Sequence, residues 1–302
     1  MGDWGEFVTP KKKSNITSIN RYIMIKIENL TFAYGKNKPN VIEDLSFTLH
    51  SGAIYGLLGK NGTGKSTFFY LLSGLLFPDN GRVMMNDVDV TNRQLGTLQD
   101  IYILPEEFDA PKISFEKYVR LHAPLYPRFD YEQLGRCMAE FELPMDINLN
   151  SLSMGQKKKA MLCFALATGT RLLLLDEPTN GLDIPSKTVF RRVVTSCMND
   201  ERIIIISTHQ VRDVEYLLDR IILLKDSKLH YEGATSDITE RLSFAVVPTS
   251  DVPSNAIYQE PNLAGTSVVY PNPGGEETVL NLELFFNALS VQPDLVERYL
   301  KA

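Results

Sequence analysis

Residues 59–66 contain glycines, a lysine and a serine spaced as in the template G-x-x-x-x-G-K-[ST]. The apolar residues 53–58 before them predict a buried strand, and residues 66–73 predict the start of a helix. Glycines allow the loop between them to fold into a cup whose N–H groups point inward, and the helix adds its positive N-terminal end. A glycine-rich turn that binds nothing is the alternative. The order of strand, loop and helix favours a site for a nucleoside triphosphate.

The side chains of this phosphate loop predict how it would hold its ligand. Lys65 is placed to reach the β- and γ-phosphates, and the Ser66 hydroxyl is placed to take one position on a Mg²⁺ that bridges them. Thr67 is expected to support the loop. The predicted nucleotide-binding residues here are Gly59, Lys60, Asn61, Gly62, Thr63, Gly64, Lys65, Ser66 and Thr67.

Composition limits the class of protein. The 302 residues, 44% of them hydrophobic, are enough for a substantial core, and the net charge of −6 argues against wholesale coating of nucleic acid. The three cysteines have no metal-ligand spacing, which predicts reduced, buried thiols. The strongest candidate for a membrane span, 68–77, is too short and is interrupted by Ser73 and Gly74. Any work at a membrane would therefore need another chain to do the spanning.

The spacing of apolar residues predicts an α/β fold in several parts. Two antiparallel strands, 25–32 and 41–49, precede the phosphate loop, and short strands are expected at 82–85 and 101–104. A helical insert is predicted at about 107–169. Continuous apolar runs after it indicate parallel strands that are covered on both faces. The insert helices are expected at 115–126, 131–142 and 154–168, the parallel strands at 171–176, 202–207 and 220–224, and further helices near Pro185 and Val211.

The two ends of the chain differ from its middle. Residues 1–22 are polar and lack the apolar core of a signal peptide, which predicts a flexible leader; a strand pattern begins only at Ile23, so Met24 could be the natural start. After residue 233, prolines separate short strand-like pieces at 267–270 and 278–284, and a helix closes the chain at about 291–300. We therefore expect a leader at 1–22, a nucleotide-binding domain at 23–233 and a C-terminal appendage at 234–302.

The predicted fold class is thus α/β. It consists of a P-loop NTPase core with a mostly parallel sheet, an antiparallel β subdomain, the helical insert and a small C-terminal α+β appendage.

An acidic pair, Asp176-Glu177, follows the four leucines at 172–175. Ligands of parallel α/β sheets bind at the carboxyl ends of the strands, where this pair would lie. Asp176 is placed to hold Mg²⁺ through its water shell, and Glu177 is placed to polarise the water that attacks the γ-phosphorus. An acidic pair at the N-terminus of a helix that follows a core strand is the alternative.

Further motifs follow in a fixed order: the segment 151–156, the acidic pair, the loop 180–183 and His209. With the phosphate loop they resemble the signature set of the ATP-binding cassette (ABC) family over about residues 24–232. The resemblance implies that the signature segment contacts the γ-phosphate held by an opposing subunit, so that two copies close head to tail around two ATP molecules. The matching signature residues are Ser153, Gly155 and Gln156.

The resemblance also implies roles for single residues. Asp183 lies in the loop that crosses between subunits, and His209 matches the switch histidine that hydrogen-bonds the γ-phosphate and orients the water. Tyr34 resembles the aromatic residue that stacks on the adenine ring, although an aromatic there could also belong to the core. ATP rather than GTP follows from the same resemblance, because nothing here resembles a guanine-reading motif.

Two positions depart from the family pattern. Glu106 stands where the family commonly has a glutamine that senses Mg²⁺ and the water; a carboxylate can ligate Mg²⁺ but adds negative charge beside the γ-phosphate. We expect hydrolysis to survive with an altered metal dependence. Met154 replaces the first glycine of the commonest signature form and should be tolerated, because contacts there are made by the backbone. The predicted catalytic residues are thus Glu106, Glu177 and His209, and the predicted metal ligands are Ser66, Glu106 and Asp176.

Three consecutive lysines, 157–159, follow the signature segment. They could indicate a nucleic-acid surface, but on a helix they point in different directions. A solvated helix face is the expected arrangement.

The resemblance implies the ATP-hydrolysing subunit of a membrane transporter, similar to exporter-type subunits of the drug and bacteriocin self-resistance kind. Its partners would be a second copy or a homologous ATPase subunit and an integral membrane permease, with no nucleic acid. It would lie in the cytoplasm, on the inner face of the cell membrane.

Two other functions fit the sequence less well. Soluble ABC ATPases of translation or DNA repair usually carry two cassettes or a long coiled coil, whereas this chain has one phosphate loop and no sustained heptads. A purely regulatory ATP-binding module is disfavoured because Glu177 and His209 are both present.

Overall fold

The structure, a computed structural model, describes residues 23–276 and 278–301, so the predicted leader at 1–22 lies outside the described residues. The strands are β1 (Met24–Phe32), β2 (Ile42–His50), β3 (Ala53–Leu58), β4 (Asn80–Met85), β5 (Val88–Asp89), β6 (Ile101–Leu104), β7 (Leu172–Asp176), β8 (Ile203–Thr208), β9 (Arg220–Lys225), β10 (Lys228–Ala234), β11 (Leu242–Val247), β12 (Tyr258–Asn262) and β13 (Gly265–Pro271). The helices are α1 (Lys65–Leu72), α2 (Leu95–Gln99), α3 (Phe115–His122), α4 (Tyr131–Glu140), α5 (Met154–Ala167), α6 (Ile184–Ser196), α7 (Thr235–Arg241), α8 (Leu282–Val291) and α9 (Pro293–Lys301). Within these two ranges, every helix is too short or too polar to cross a membrane.

A six-stranded sheet in the order β10-β9-β3-β8-β7-β6 forms the centre of the fold. Strands β9, β3, β8, β7 and β6 are parallel, and β10 pairs antiparallel with β9 at one edge. The three parallel strands predicted after the insert are confirmed as β7, β8 and β9. Their side chains alternate between two hydrophobic clusters, since Leu173 belongs to one and Leu172 and Leu174 belong to the other. Both faces of the sheet are therefore covered, as continuous apolar strands require.

A second sheet, β2-β1-β4-β5, is antiparallel throughout, which confirms the predicted antiparallel β subdomain. Ile25 of β1 and Leu45 of β2 lie in the same buried cluster as Phe68 of α1 and Leu174 of β7. The helix after the phosphate loop thus shares one core with two sheets. This packing holds α1, and with it the end of the phosphate loop, in a fixed position between the two sheets.

The predicted helices of the insert are confirmed as α3, α4 and α5. Their N-cap residues are Ser114, Asp130 and Ser153, and the side-chain oxygen of each accepts a hydrogen bond from the third backbone N–H of its helix. Phe164 of α5 is fully buried and connects the insert to β6. Its ring contacts the rings of Tyr102, Tyr118, Tyr126 and Phe129.

Two segments differ from the prediction. The helix expected from Val211 is wrong, because residues 211–217 form two 3-10 turns. The buried Val214 and Leu217 are three residues apart, the spacing that a 3-10 turn places on one side. The strand expected at 278–284 is also wrong, because the side chain of Asn281 caps α8 by accepting from the backbone of the third residue of that helix.

The C-terminal residues form a three-stranded antiparallel sheet, β11-β13-β12, with α7, α8 and α9. Phe285 of α8 lies in the hydrophobic cluster that also contains Leu173 and Ile221 of the central sheet. Its ring centroid is 5.4 Å from that of Tyr231 in β10. The C-terminal part therefore shares a core with the central sheet, and the division of the chain at residue 233 stays a prediction.

We expect Phe164→Ala to lower the free energy of unfolding by ~3–5 kcal/mol, because it removes the central ring of this aromatic core and leaves a cavity. Urea unfolding followed by circular dichroism measures the change. Leu121→Ala, at an exposed apolar position of α3, is the control and should stay within about 0.5 kcal/mol of the original protein. A loss below about 1 kcal/mol for Phe164→Ala would show that the insert does not depend on this ring.

Candidate nucleotide-binding and catalytic site

The phosphate loop runs from the end of β3 to the start of α1, and its shape requires glycine. Gly62 and Gly64 have φ angles of 80° and 96°, in the left-handed region. A Cβ on Gly64 would lie 2.8 Å from the carbonyl oxygen of Val41, and one on Gly59 would lie 2.7 Å from the carbonyl oxygen of Leu224. Because both neighbours are backbone atoms, any side chain at these positions would distort the loop.

The side chain of Lys65 is buried at the N-terminus of α1 and folds back over the loop. Its Nζ donates hydrogen bonds to the carbonyl oxygens of Gly59 and Lys60, at 2.9 and 3.2 Å, and lies 3.7 Å from Oε1 of Glu177. Thr63 closes the loop, since its hydroxyl donates to the same carbonyl of Lys60 at 2.8 Å. The loop therefore holds a cation beside the carboxylate of Glu177.

Asp176 ends β7 and Glu177 follows it, and both carboxylates are buried. The hydroxyl of Ser207 donates to Oδ1 of Asp176. The N–H of Glu177 donates to the carbonyl and hydroxyl oxygens of Ser207, each at 3.1 Å. Glu177 has a φ of 44°, which is uncommon for a residue with a side chain. Ser207 thus fixes both acidic residues from the neighbouring strand.

His209 lies next to the acidic pair because β7 and β8 pair in parallel, with Asp176 opposite Ser207. Its Nδ1 is 2.8 Å from Oε1 of Glu177. Its backbone N–H also donates to Oε2 of the same carboxylate at 3.4 Å. The structure therefore brings the predicted base and the predicted switch histidine into direct contact.

A cleft of about 370 Å³ is formed by the phosphate loop and the strand ends beside it. Tyr34 in this cleft is 61% exposed, so its ring is not a core residue. Its hydroxyl lies 3.0 Å from that of Thr67, and the two ring centroids of Tyr34 and Phe32 are 5.0 Å apart. An exposed ring beside a phosphate loop can stack on a base. The cleft is lined by Tyr34, Val41, Asn61, Gly62, Gly64, Lys65, Ser66, Thr67, Glu106, Asp176 and Glu177.

Gly59, Lys60 and His209 line a second cavity, of about 550 Å³, together with Glu283 and Phe286 of α8. Within the described part of the chain these three predicted residues are not among those that line the first cleft. The imidazole of His209 therefore reaches the acidic pair of the first cleft from the border of the second cavity.

Glu106 lies in the cleft and is held by the loop after β7. The Nδ2 of Asn180 donates to Oε1 of Glu106 at 2.7 Å, and the Oδ1 of Asn180 accepts from Gln210 at 3.2 Å. Glu106 is therefore connected through one side chain to the segment that follows His209.

The predicted signature residues lie at the N-terminus of α5, outside the set of described residues that line the cleft. Ser153 and Gln156 form a capping box: the Ser153 N–H donates to Oε1 of Gln156 at 3.1 Å, and the Gln156 N–H donates to the Ser153 hydroxyl at 3.3 Å. A Cβ on Gly155 would lie 3.1 Å from the carbonyl oxygen of Gly181. The signature turn thus lies against the loop 180–183 of its own chain.

Asp183 also lies outside the cleft, as the N-cap residue of α6. Its Oδ1 accepts from the backbone N–H of Ser186 at 2.9 Å and lies 3.9 Å from Nζ of Lys159 on α5. Hydrogen bonds from Ser186 lower the pKa of the Asp183 carboxyl. The structure therefore brings Asp183 beside the signature helix.

Two residues of this site, Ser207 and Lys158, were not predicted. The expectation of a solvated face is wrong for Lys158, which is 5% exposed and whose Nζ donates to the carbonyl oxygens of Glu177 and Asn180, at 2.9 and 3.0 Å. Burial lowers the pKa of this ammonium, and the carboxylates around it oppose that shift. The sequence holds no signal that singles out Lys158, because the apolar spacing i, i+3, i+4, i+7 that it forms with Met161, Leu162 and Ala165 continues from the neighbouring lysines as well.

The oxygen atoms in the cleft suit Mg²⁺. Ser66 and Asp176 line it together, and Mg²⁺ is usually bound by one or two carboxylates and substrate phosphates rather than by a cage of protein ligands. Residues 23–276 and 278–301 contain no group of three His, Cys, Asp or Glu side chains placed to hold a metal ion. The protein would supply only part of such a site.

Comparison with known proteins decides the family. The model of the family described as ABC transporter matches residues 42–180. The ABC transporter ATP-binding protein YtrB of Bacillus subtilis (strain 168) is 31% identical over 207 residues, which cover 68% of this chain and 70% of that protein. This chain belongs to the ABC transporter family of ATP-binding proteins. It is an ABC ATPase, the nucleotide-binding subunit of a transporter.

Other relatives of this ABC ATPase bear more specific names. The Nod factor export ATP-binding protein I of Rhizobium meliloti (strain 1021) is 30% identical, over 76% of this chain and 70% of that protein. The linearmycin resistance ATP-binding protein LnrL of Bacillus subtilis (strain 168) is 28% identical, over 72% of each chain.

Solved structures confirm the ABC ATPase fold. The ATP-binding subunit of an ABC transporter matches with a TM-score of 0.64 at 25% identity, covering 71% of this chain and 91% of that one. The dimeric ATP-binding cassette MJ0796, bound to ADP and Pi, matches with a TM-score of 0.61 at 21% identity, covering 70% of this chain and 98% of that one. The predicted α/β class with a P-loop NTPase core is confirmed.

Gly64→Ala is expected to weaken ATP binding by roughly tenfold or more, because a left-handed residue with a Cβ is strained and this Cβ would meet the backbone of Val41. Titration with a fluorescent ATP analogue measures the affinity. Gly135→Ala on α4, where a Cβ meets no atom within 4 Å, is the control and should bind as the original protein does. Equal affinities for the two variants would contradict the role of the loop.

Proposed function

We propose that this ABC ATPase closes with a second copy of itself, or with a homologous ATPase subunit, around two ATP molecules and thereby powers a separate membrane permease of the exporter type. The cleft carries this proposal. A buried lysine, a hydroxyl and two carboxylates meet there beside an exposed tyrosine, which is the combination that triphosphate binding and hydrolysis require. The residues are Tyr34, Lys65, Ser66, Asp176 and Glu177.

The hydrolytic roles follow from the contacts in the cleft. Glu177 is the general base for the water that attacks the γ-phosphorus, since its carboxylate is buried beside Lys65 and hydrogen-bonded to His209. His209 orients that carboxylate. The bond to the β-phosphate oxygen breaks as the new P–O bond forms, and ADP and inorganic phosphate leave.

Mg²⁺ would be held by Ser66, Asp176 and Glu106, which line one cleft. The ion supplies positive charge against the phosphate oxygens when it is bound. Ser207 donates a hydrogen bond to Oδ1 of Asp176, so the other carboxylate oxygen would be the one offered to the ion or its water shell. Glu106 lies in the same cleft as Ser66 and Asp176, so its negative charge is added beside the proposed Mg²⁺ site. This position supports the expectation that the Mg²⁺ dependence of hydrolysis is altered.

The dimer is supported by residues that the cleft does not include. The signature turn at Ser153, Gly155 and Gln156 forms the N-terminus of a 14-residue helix, which can bind an anion through its free N–H groups. Together with Asp183 it would complete the site of the opposing copy.

The permease is proposed from two observations. The names of relatives include Nod factor export and linearmycin resistance, which favours export. In the insert, Phe115 and Tyr118 are buried, whereas Leu121 and Leu125 are each 56% exposed and could receive a cytoplasmic segment of the permease. The ATPase would then be a peripheral protein on the cytoplasmic face of the cell membrane.

Glu177→Gln is expected to lower ATP turnover by roughly 100- to 10,000-fold, because the amide cannot accept the proton of the attacking water. ATP-induced dimerisation, measured by light scattering, should persist. Glu201→Gln, at an exposed carboxylate in the turn before β8, is the control and should keep full turnover. Unchanged turnover in Glu177→Gln would refute the assignment of the base.

Purification of the tagged protein from its native membranes tests the transporter assignment. We expect a membrane-spanning chain to copurify and to be lost when Leu121 and Leu125 are changed to Asp, because the charged pair cannot be desolvated in an apolar contact. The control substitutes Tyr216, an exposed residue outside the insert, by Asp. Recovery only with ribosomes or DNA would overturn the proposed association with a permease.

A further inference from the structure

Lys158 is the buried cation of the described site that the proposed function does not use. It lies in the second turn of α5 and is 5% exposed. Its ammonium donates to two backbone carbonyl oxygens, those of Glu177 at 2.9 Å and Asn180 at 3.0 Å. Burying a charge is unfavourable unless polar partners replace water. The two carbonyls and the carboxylates around the cleft therefore account for a lysine at this position.

The first of these bonds acts on the backbone of Glu177. That residue has a φ of 44°, a left-handed conformation that persists only where its surroundings hold it. Its N–H is held by the carbonyl and hydroxyl oxygens of Ser207, and its carbonyl oxygen accepts from the Lys158 ammonium at 2.9 Å and from the N–H of Asn180 at 3.1 Å. Both backbone polar groups of Glu177 are thus fixed, the N–H from β8 and the carbonyl from the signature helix together with the loop that follows β7.

The second bond continues to Glu106. Lys158 donates to the carbonyl oxygen of Asn180, and the side-chain amide of Asn180 donates to Oε1 of Glu106 at 2.7 Å. A positive charge on α5 and a negative charge after β6 are therefore connected through hydrogen bonds to one neutral residue. Removing Lys158 leaves Glu106 without this counter-charge, whereas removing Glu106 leaves Lys158 facing the carboxylates of Glu177 and Asp176.

We propose that Lys158 is a positioning residue for hydrolysis, which fixes the backbone of Glu177 from the signature helix and balances the negative charge that Glu106 adds to the cleft. This inference rests on the proposed function, because it takes Glu177 as the general base. It assigns Lys158 no contact with the nucleotide.

A double-mutant cycle tests the proposal on the full-length chain, with Lys158→Gln, Glu106→Gln and the two combined. ATP turnover at saturating Mg²⁺ gives kcat and KM, and thermal unfolding of the nucleotide-free protein provides a readout independent of activity. Lys157→Gln, at the preceding lysine of the same helix, is the matched control and should behave as the original protein does.

Lys158→Gln is expected to lower kcat by roughly 10- to 100-fold with little change in KM, because a displaced carboxylate misaligns the water without removing a nucleotide contact. Adding Glu106→Gln to Lys158→Gln should recover kcat by about 5-fold or more. The double variant should also lose less in its thermal midpoint than the two single variants lose in sum. A glutamine at position 158 can donate to one of the two carbonyls, and the negative charge of Glu106 is then absent as well.

Independent effects of the two substitutions on kcat and on the thermal midpoint would refute the charge balance and reduce Lys158 to a structural support. If Lys158→Gln does not fold alone, a folded and active double variant supports the proposal, and failure of the double variant to fold overturns it. Failure of the proposed function is recognised separately, by full turnover in Glu177→Gln, whereas independence in the cycle refutes only the role of Lys158.

Discussion

The pairing of β7 with β8 is the interaction on which this site depends. Its register sets Asp176 opposite Ser207, so one buried hydroxyl bonds to both acidic residues. His209 follows directly after β8 and therefore lies beside Glu177. A slip of one residue would exchange the two faces of the strand. That slip is opposed by the two hydrophobic clusters, which take alternate leucines of β7 and alternate isoleucines of β8. Apolar packing thus sets the geometry of the polar site.

Motifs made of consecutive residues could be predicted from the sequence because their chemistry is local. The phosphate loop needs glycine at positions whose φ angles and close backbone contacts exclude a Cβ, and Lys65 follows directly at the helix N-terminus. The parallel strands were equally clear, since runs of leucine and isoleucine at 172–175 and 203–206 suit a sheet covered on both faces. Helices of the insert could be placed from the helical spacing of their residues, and in the structure each begins at a capping side chain.

Contacts between distant segments could not be predicted in this way. Lys158 stands in a run of three lysines, which is usually exposed to solvent. It is buried here because residues 177–180 pass over α5 and accept its hydrogen bonds. The helix expected from Val211 also failed, and that segment contacts α8, since Arg212 forms an ion pair with Glu283 and Val214 shares a hydrophobic cluster with Leu284. In both cases the local pattern allows two structures, and a tertiary contact selects one.

Under the proposed function, the capping box of α5 and the bonds of Lys158 connect the two halves of the site. The Ser153 hydroxyl accepts from the N–H of Gln156, so its own proton remains available to donate outward to an anion. Lys158 lies on the same helix, about one turn further, and holds the carbonyl oxygen of Glu177. A phosphate bound at the helix N-terminus would therefore act on a helix that also holds the backbone of the catalytic Glu177 of its own chain. Closure at one ATP would in this way be transmitted to the hydrolytic residue at the other.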